Sequence, residues 1–149
     1  MEIMRENSNI FLNKKILIYG LGKSGISSFN FLKKKNEVYL YDDNNKIKII
    51  KKIKNKIIPK NKIYKFNFDI IIVSPGINKN KCKLKNFLKK NSKKTYSDLD
   101  VFSSFYKNKC ITITGTNGKS TTCQLIYEIL KKNRSDVKLA GNIGYPILS

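Results

Sequence analysis

Residues 111–122, ITITGTNGKSTT, constrain the fold of this chain more tightly than any other stretch. Ile111, Thr112, Ile113 and Thr114 are β-branched and predict a strand. A loop with Gly115 and Gly118 around Thr116 and Asn117 follows, and Lys119, Ser120 and Thr121 open an amphipathic helix. A strand that turns through glycine straight into a helix points backbone N–H groups and the positive helix end at one place, which suits phosphate oxygens. Lys119 adds a mobile cation for the outer phosphates, and Ser120 a hydroxyl able to ligate Mg²⁺. The motif is GxxGK[ST], shorter than the general P-loop pattern, which needs a glycine where Ile113 stands. These residues point to a nucleoside triphosphate site.

A second glycine turn lies near the N-terminus. Lys14 to Gly20 (KKILIYG) reads as a buried strand, and GLGKSG then places Gly20, Gly22 and Gly25 in the dinucleotide-fold spacing. Ile26, Phe29 and Leu32 fall on one face of the helix that follows. A second strand, Glu37 to Tyr41, ends at Asp42 and Asp43. Strand, glycine turn, helix, strand and acid make the first βαβ unit of a Rossmann-like fold. Such an acid serves the ribose hydroxyls of NAD in one use of the unit. A helix is expected around Lys46–Lys54 and a short strand near Ile57 and Ile58. Asp69-Ile-Ile-Ile-Val73 is continuous and apolar, as a central parallel strand buried on both faces should be, and runs into the turn Ser74-Pro75-Gly76. A helix over about Lys81–Lys90, a strand at Thr95–Tyr96 and a helix capped by Ser97 complete the series. The expected fold class is α/β. A Rossmann-like domain with a parallel sheet spans residues 1–94, and a linker helix residues 95–108. Residues 109–149 begin a P-loop ATPase-like central domain with its first β, P-loop, α and β parts, the second strand around Val137.

The charge balance, 31 basic residues against 10 acidic, raises the question of a nucleic-acid partner. Arg5 and Arg134 are the only arginines, however, and the lysines are spread over every segment alongside many Ile and Asn. That pattern fits A/T-biased coding better than a selected phosphate-binding surface, so no nucleic-acid partner is expected. The chain has no histidine, which excludes a His base or metal ligand within these residues. Cys82, Cys110 and Cys123 match no zinc spacing and suit free thiols in a reducing compartment. No apolar run is long enough to span a bilayer and no signal-peptide core opens the chain, so a cytoplasmic protein without a membrane partner is expected.

GTNGKST preceded by ITIT resembles the ATP-binding loop of the Mur ligases, the ATP-dependent amide ligases of peptidoglycan precursor synthesis. Taken in order, GLGKSG, the acidic strand end at Asp42, DIIIVSPGI, SDLDVF, ITITGTNGKSTT and AGNIGYP resemble the N-terminal third of the D-glutamate-adding branch of that family, from about Lys14 to Pro146. The resemblance implies an enzyme that uses ATP and Mg²⁺ to join D-glutamate to UDP-N-acetylmuramoyl-L-alanine, working as a monomer. It implies that Gly115, Thr116, Asn117, Gly118, Lys119, Ser120 and Thr121 cradle ATP, with Lys119 catalytic and Ser120 a Mg²⁺ ligand. It further implies that Lys23, Ser24, Asp42, Asp43, Gly76 and Asn142 line the UDP-substrate site.

Two departures accompany the resemblance. Asn44 stands where the family often has a basic residue near the uracil. The family's metal-binding Glu, its His, its modified Lys and its C-terminal domain would all follow Ser149, and Glu128, two turns along the P-loop helix from Ser120, is too far from the phosphates to serve instead. The expectation is a truncated ligase, inactive by itself. A non-catalytic UDP-sugar or nucleotide-binding module and an NAD-binding Rossmann protein stand as alternatives.

Overall fold

Three short apolar runs build the centre of the protein. A computed structural model describes residues 9–44, 51–133, 136–141 and 143–149. In it, β1 (Lys15–Tyr19), β2 (Glu37–Tyr41), β3 (Ile70–Val73) and β4 (Thr95–Tyr96) form one all-parallel sheet in the order β2-β1-β3-β4. Ile16 sits opposite Val38 on one side and Ile70 on the other, and the register continues without a bulge to Tyr19, between Tyr41 and Val73.

Side chains alternate along a strand, so this register sorts the apolar residues into two cores. Ile16, Ile18, Val38, Leu40, Ile70 and Ile72 share one face with Phe11, with Phe29 and Leu32 of α1 (Lys23–Leu32), and with Val101. Leu17, Tyr19, Tyr41, Ile71 and Val73 share the other with Ile63 of α2 (Lys60–Ile63), with Leu84, and with Phe87 and Leu88 of α3 (Lys85–Lys90). Helices thus cover both faces, which explains why the strand sequences are apolar throughout rather than alternating. Ser97 caps α4 (Asp98–Phe105): its Oγ accepts from the Asp100 N–H, and the Asp100 carboxylate accepts from the Ser97 N–H at 2.7 Å. Val101 of α4 is fully buried, and the Phe105 ring meets Phe31 edge-on at 5.0 Å, so this helix is built onto the first sheet.

Several elements depart from the sequence expectations. Ile111–Thr114 forms no strand, because among the described residues it has no strand beside it to complete a ladder. Val137 lies outside any strand too; near it only Ala140 and Tyr145 form an isolated bridge. Ile57 makes a single parallel bridge to Leu40 instead of a strand. Of the helix expected over Lys46–Lys54, residues 45–50 lie outside the described residues, and Lys51–Lys56 is 3₁₀. The α3 helix starts four residues later than expected. The P-loop helix, α5 (Lys119–Lys132), forms as expected but buries none of its residues; Leu125 and Ile129 stay more than half exposed.

Two positions invite measurement. A methyl group on Gly25 would lie 1.8 Å from the Gly20 carbonyl oxygen, which is backbone and has no room to yield. Gly25→Ala should therefore cost about 3 kcal/mol or more, read as a fall in the urea midpoint. Tyr41 is buried, and burial first, then the nearby carboxylates of Asp43 and Asp42, pushes its hydroxyl up to about 12 from an ordinary 10. Its folded pKa is raised, so its contribution is whole below about pH 10 and is lost as pH rises through 12. Over that window the wild-type chain should lose more stability than Tyr41→Phe, with the lysines titrating equally in both.

Candidate functional site

In an open parallel sheet, ligands bind beyond the carboxyl ends of the strands where the strand order reverses. Here the chain leaves β1 for β2 on one side and returns to β3 on the other, so that point lies between β1 and β3. Gly20 ends β1 with a φ of +98°, a value glycine tolerates and other residues seldom adopt. Its N–H donates to the Tyr41 carbonyl at 2.9 Å, and its own carbonyl accepts the buried Ser74 hydroxyl at 2.8 Å. The Ser74 N–H in turn donates to the Tyr19 carbonyl at 2.9 Å. One turn thereby ties the ends of three strands together.

Both predicted acids are engaged by the protein itself. Asp42 accepts the Leu21 N–H at 2.6 Å with one oxygen and the Asn44 N–H at 2.8 Å with the other, so it fixes the glycine turn from below. Asp43 accepts from the Tyr19 hydroxyl at 2.7 Å and the Lys83 N–H at 3.0 Å, while the Lys83 ammonium donates to the Asp43 carbonyl at 2.7 Å. The other Asp43 carboxylate oxygen is buried without a hydrogen-bond partner. Burial, reinforced by Asp43 and Cys82, drives the Tyr19 hydroxyl far above the ordinary tyrosine range, so it remains a proton donor to that carboxylate. Fixed this way, the carboxylates shape the edge more than they offer lone pairs to a ribose.

Lys23 is exposed and Ser24 half-buried in the first turn of α1, whose N-cap, Gly22, makes no side-chain cap. The first N–H groups of a helix lack intrahelical partners, so α1 presents donors at this edge. Gly76 is exposed, with open space where a side chain would stand. Lys23, Ser24, Asp42, Asp43 and Gly76 therefore gather at one sheet edge, whereas Asn142 lies outside the described residues. Sequence reasoning did not single out Ser74 or Lys83. An open groove with Asn13, Lys15, Lys35 and Asp69 lies at the opposite, amino-terminal edge, away from the switch point.

The second glycine loop is held differently. Gly118 adopts the left-handed region at φ +74° and caps the 14-residue α5, again without a side-chain cap. The Lys119 ammonium folds back onto the loop, donating to the Gly115 carbonyl and, at 3.1 Å, to the Thr116 carbonyl. Thr116, Asn117, Ser120 and Thr121 are all exposed around it. Open glycine backbone, an uncapped helix start and one lysine at its mouth suit a polyphosphate. Among the described residues no three His, Cys, Asp or Glu side chains gather as a metal site, so a divalent cation here would depend on the Ser120 hydroxyl and on phosphate oxygens.

Comparison with known proteins gives two family matches. Residues 14–94 match the Mur ligase MurD-like N-terminal domain, and residues 113–148 match the Mur ligase middle domain. The chain is 42% identical over 145 residues to the UDP-N-acetylmuramoylalanine–D-glutamate ligase of Buchnera aphidicola, covering 93% of this chain and 32% of that one. It is 38% identical to the protein of the same name from Aquifex aeolicus (89% and 29% covered). For the Rickettsia felis protein of that name the identity is 39%, with 94% and 32% covered. The chain thus spans about a third of the length of these relatives. A MurD-like match over more than half of its residues, joined to the middle-domain match across the second glycine loop, makes this protein a member of the Mur ligase family.

Proposed function

We propose that this chain supplies the UDP-substrate and ATP sites of an ATP-dependent ligase that adds D-glutamate to UDP-N-acetylmuramoyl-L-alanine in peptidoglycan precursor synthesis. The observation that carries the reading is the presence on one chain of two uncapped helix starts, each behind a glycine turn: one at the switch point of the parallel sheet, one behind GTNGKST. Residues 1–94 form the UDP-substrate unit, 95–108 the connection, and 109–149 the beginning of the ATP-binding unit. The α1 N-terminus, Lys23 and Ser24 hold the diphosphate, Gly76 leaves room beside it, and Asp42 and Asp43 keep the edge in shape; Asn142 reaches the muramoyl part.

In the reaction, the substrate carboxylate takes the γ-phosphoryl group of ATP, releasing ADP, and the D-glutamate amine displaces phosphate to form the amide. Gly115 to Thr121 hold the phosphates, Lys119 offsets charge on the transferring group, and Ser120 offers its hydroxyl to Mg²⁺, which neutralises phosphate charge when bound. Before it does so, Lys119 has to leave the carbonyls of Gly115 and Thr116. The enzyme works in the cytoplasm as a monomer and takes no nucleic-acid partner; separately, no helix among the described residues is long and apolar enough to cross a membrane. The two glycine-turn units bind the nucleotide parts of the two substrates.

Replacing Lys119 removes charge-assisted hydrogen bonds to phosphate, so Lys119→Ala should weaken ATP binding about tenfold or more in equilibrium dialysis. Binding of UDP-N-acetylmuramoyl-L-alanine should be unchanged. ATP affinity equal to wild type would overturn the role given to the loop.

A further inference from the structure

We propose that Ile147 and Leu148 form a clasp, which fastens the far end of the unit carrying the second glycine loop onto α1 and so sets where that loop lies relative to the first glycine turn. Burial singles these residues out. Among the described residues from 109 to 149, Leu148 alone is buried, at 7% exposure. The core that buries it belongs to the other unit: Leu148 joins the cluster of Ile16, Leu21, Phe29 and Val101, and Ile147 packs against it. Nothing else described in the second unit could hold it in place, since α5 buries none of its residues and Ile111–Thr114 forms no strand.

Both ends of that unit come to the same helix. On entry, the rings of Phe105 and Tyr106 lie 5.0 and 6.1 Å from that of Phe31, in the last turn of α1. On return, Pro146 and Leu148 line one cleft with Leu21, Lys23 and Ile26, at the start of α1. A segment held at both ends loses most of the arrangements open to one tethered at a single end. Without Leu148 the unit would hang from Tyr106 through the exposed residues 107–110.

The returning chain is stiff. The Gly141 N–H donates to the Tyr145 carbonyl at 2.9 Å, and the Tyr145 N–H to the Leu139 carbonyl at 3.2 Å. Gly144 has a φ of +74°, and a methyl group on it would lie 2.3 Å from the Leu139 carbonyl oxygen, so this turn leaves no slack. The Ser149 N–H closes a further turn onto the Pro146 carbonyl at 3.0 Å. Anchoring Leu148 therefore anchors the chain back to Leu139. In the reading above, a phosphoryl group passes from a nucleotide at the second loop to a substrate at the first, and transfer needs the reacting atoms held within about 3.5 Å. The use of the clasp in that step rests on that reading, whereas the clasp itself rests on packing alone. Leu148 is a positioning residue, not a catalytic one.

The test is a distance measured without ligand. Spin labels are placed on Cys123 of α5 and on Lys90→Cys, at the exposed end of α3, with Cys82→Ser and Cys110→Ser removing the other thiols. Wild type at position 148 should give one narrow distance distribution by pulsed EPR. Leu148→Ala should broaden it, and the Gly141 and Tyr145 amides should exchange with solvent about tenfold faster or more, while the Gly20 and Ser74 amides at the sheet ends keep their rates. Leu148→Met, which refills the space, should restore the narrow distribution, and Tyr145→Ser, at a position 74% exposed, should leave it unchanged. A broad distribution in wild type, a narrow one in Leu148→Ala, or equal broadening by Tyr145→Ser would each overturn the clasp. Faster exchange at Gly20 and Ser74 in step with Gly141 would overturn it as well, by making Leu148 an ordinary core residue of the first unit. None of these outcomes touches the nucleotide readings, which stand or fall on binding.

Discussion

The carbonyl of Gly20 is the point on which the first half of this protein depends. Gly25 has no side chain, so α1 approaches that oxygen closely enough to exclude even a methyl group. On the opposite side the Ser74 hydroxyl donates to the same oxygen. One backbone group therefore sets the distance between β1, the helix that follows it and the end of β3. The consequence is functional as well as structural. The start of α1 can aim its N–H groups at a ligand only because Gly20, Gly25 and Ser74 fix where that start lies, and Asp42 removes one competing donor by taking the Leu21 N–H.

The second glycine loop has no comparable anchor. Its lysine bonds to the carbonyls of its own loop, and the helix behind it leaves its apolar residues in contact with water. An isolated helix of this length is marginal in water, and most helical stability in proteins comes from packing an apolar face. The two glycine turns on this chain therefore differ in kind. One is preorganised by the sheet ends, and the other is held only by the bonds of Lys119 to its own loop carbonyls.

The sheet was legible because parallel strands covered on both faces must be apolar at every position, and Ile16–Tyr19 and Ile70–Val73 are. The same logic misled at Ile111–Thr114. β-branched residues indicate a surface that fits a sheet, and among the described residues no strand lies alongside to complete it. The α2 helix is only four residues long, too short to show a period. Of the site, glycine spacing marked both turns, and the acids after β2 were visible as a pair. Their use was not. That Asp42 holds the turn, and that Lys83 reaches back 40 residues to hold Asp43, are long-range contacts with no local pattern.

The same contrast separates most lysines of this strongly basic chain from those that are held in place. Most of its lysines stand exposed in water, where each contributes to net charge and little to structure. Some make local contacts instead, among them Lys83 with two bonds to Asp43 and Lys119 with two loop carbonyls. Charge at those two positions is held by geometry, so screening by salt should weaken the general attraction of the surface for anions well before it releases either contact. What is fixed at the switch point is backbone donors at the start of α1, which salt leaves in place, and the surplus of lysine has no need to take part.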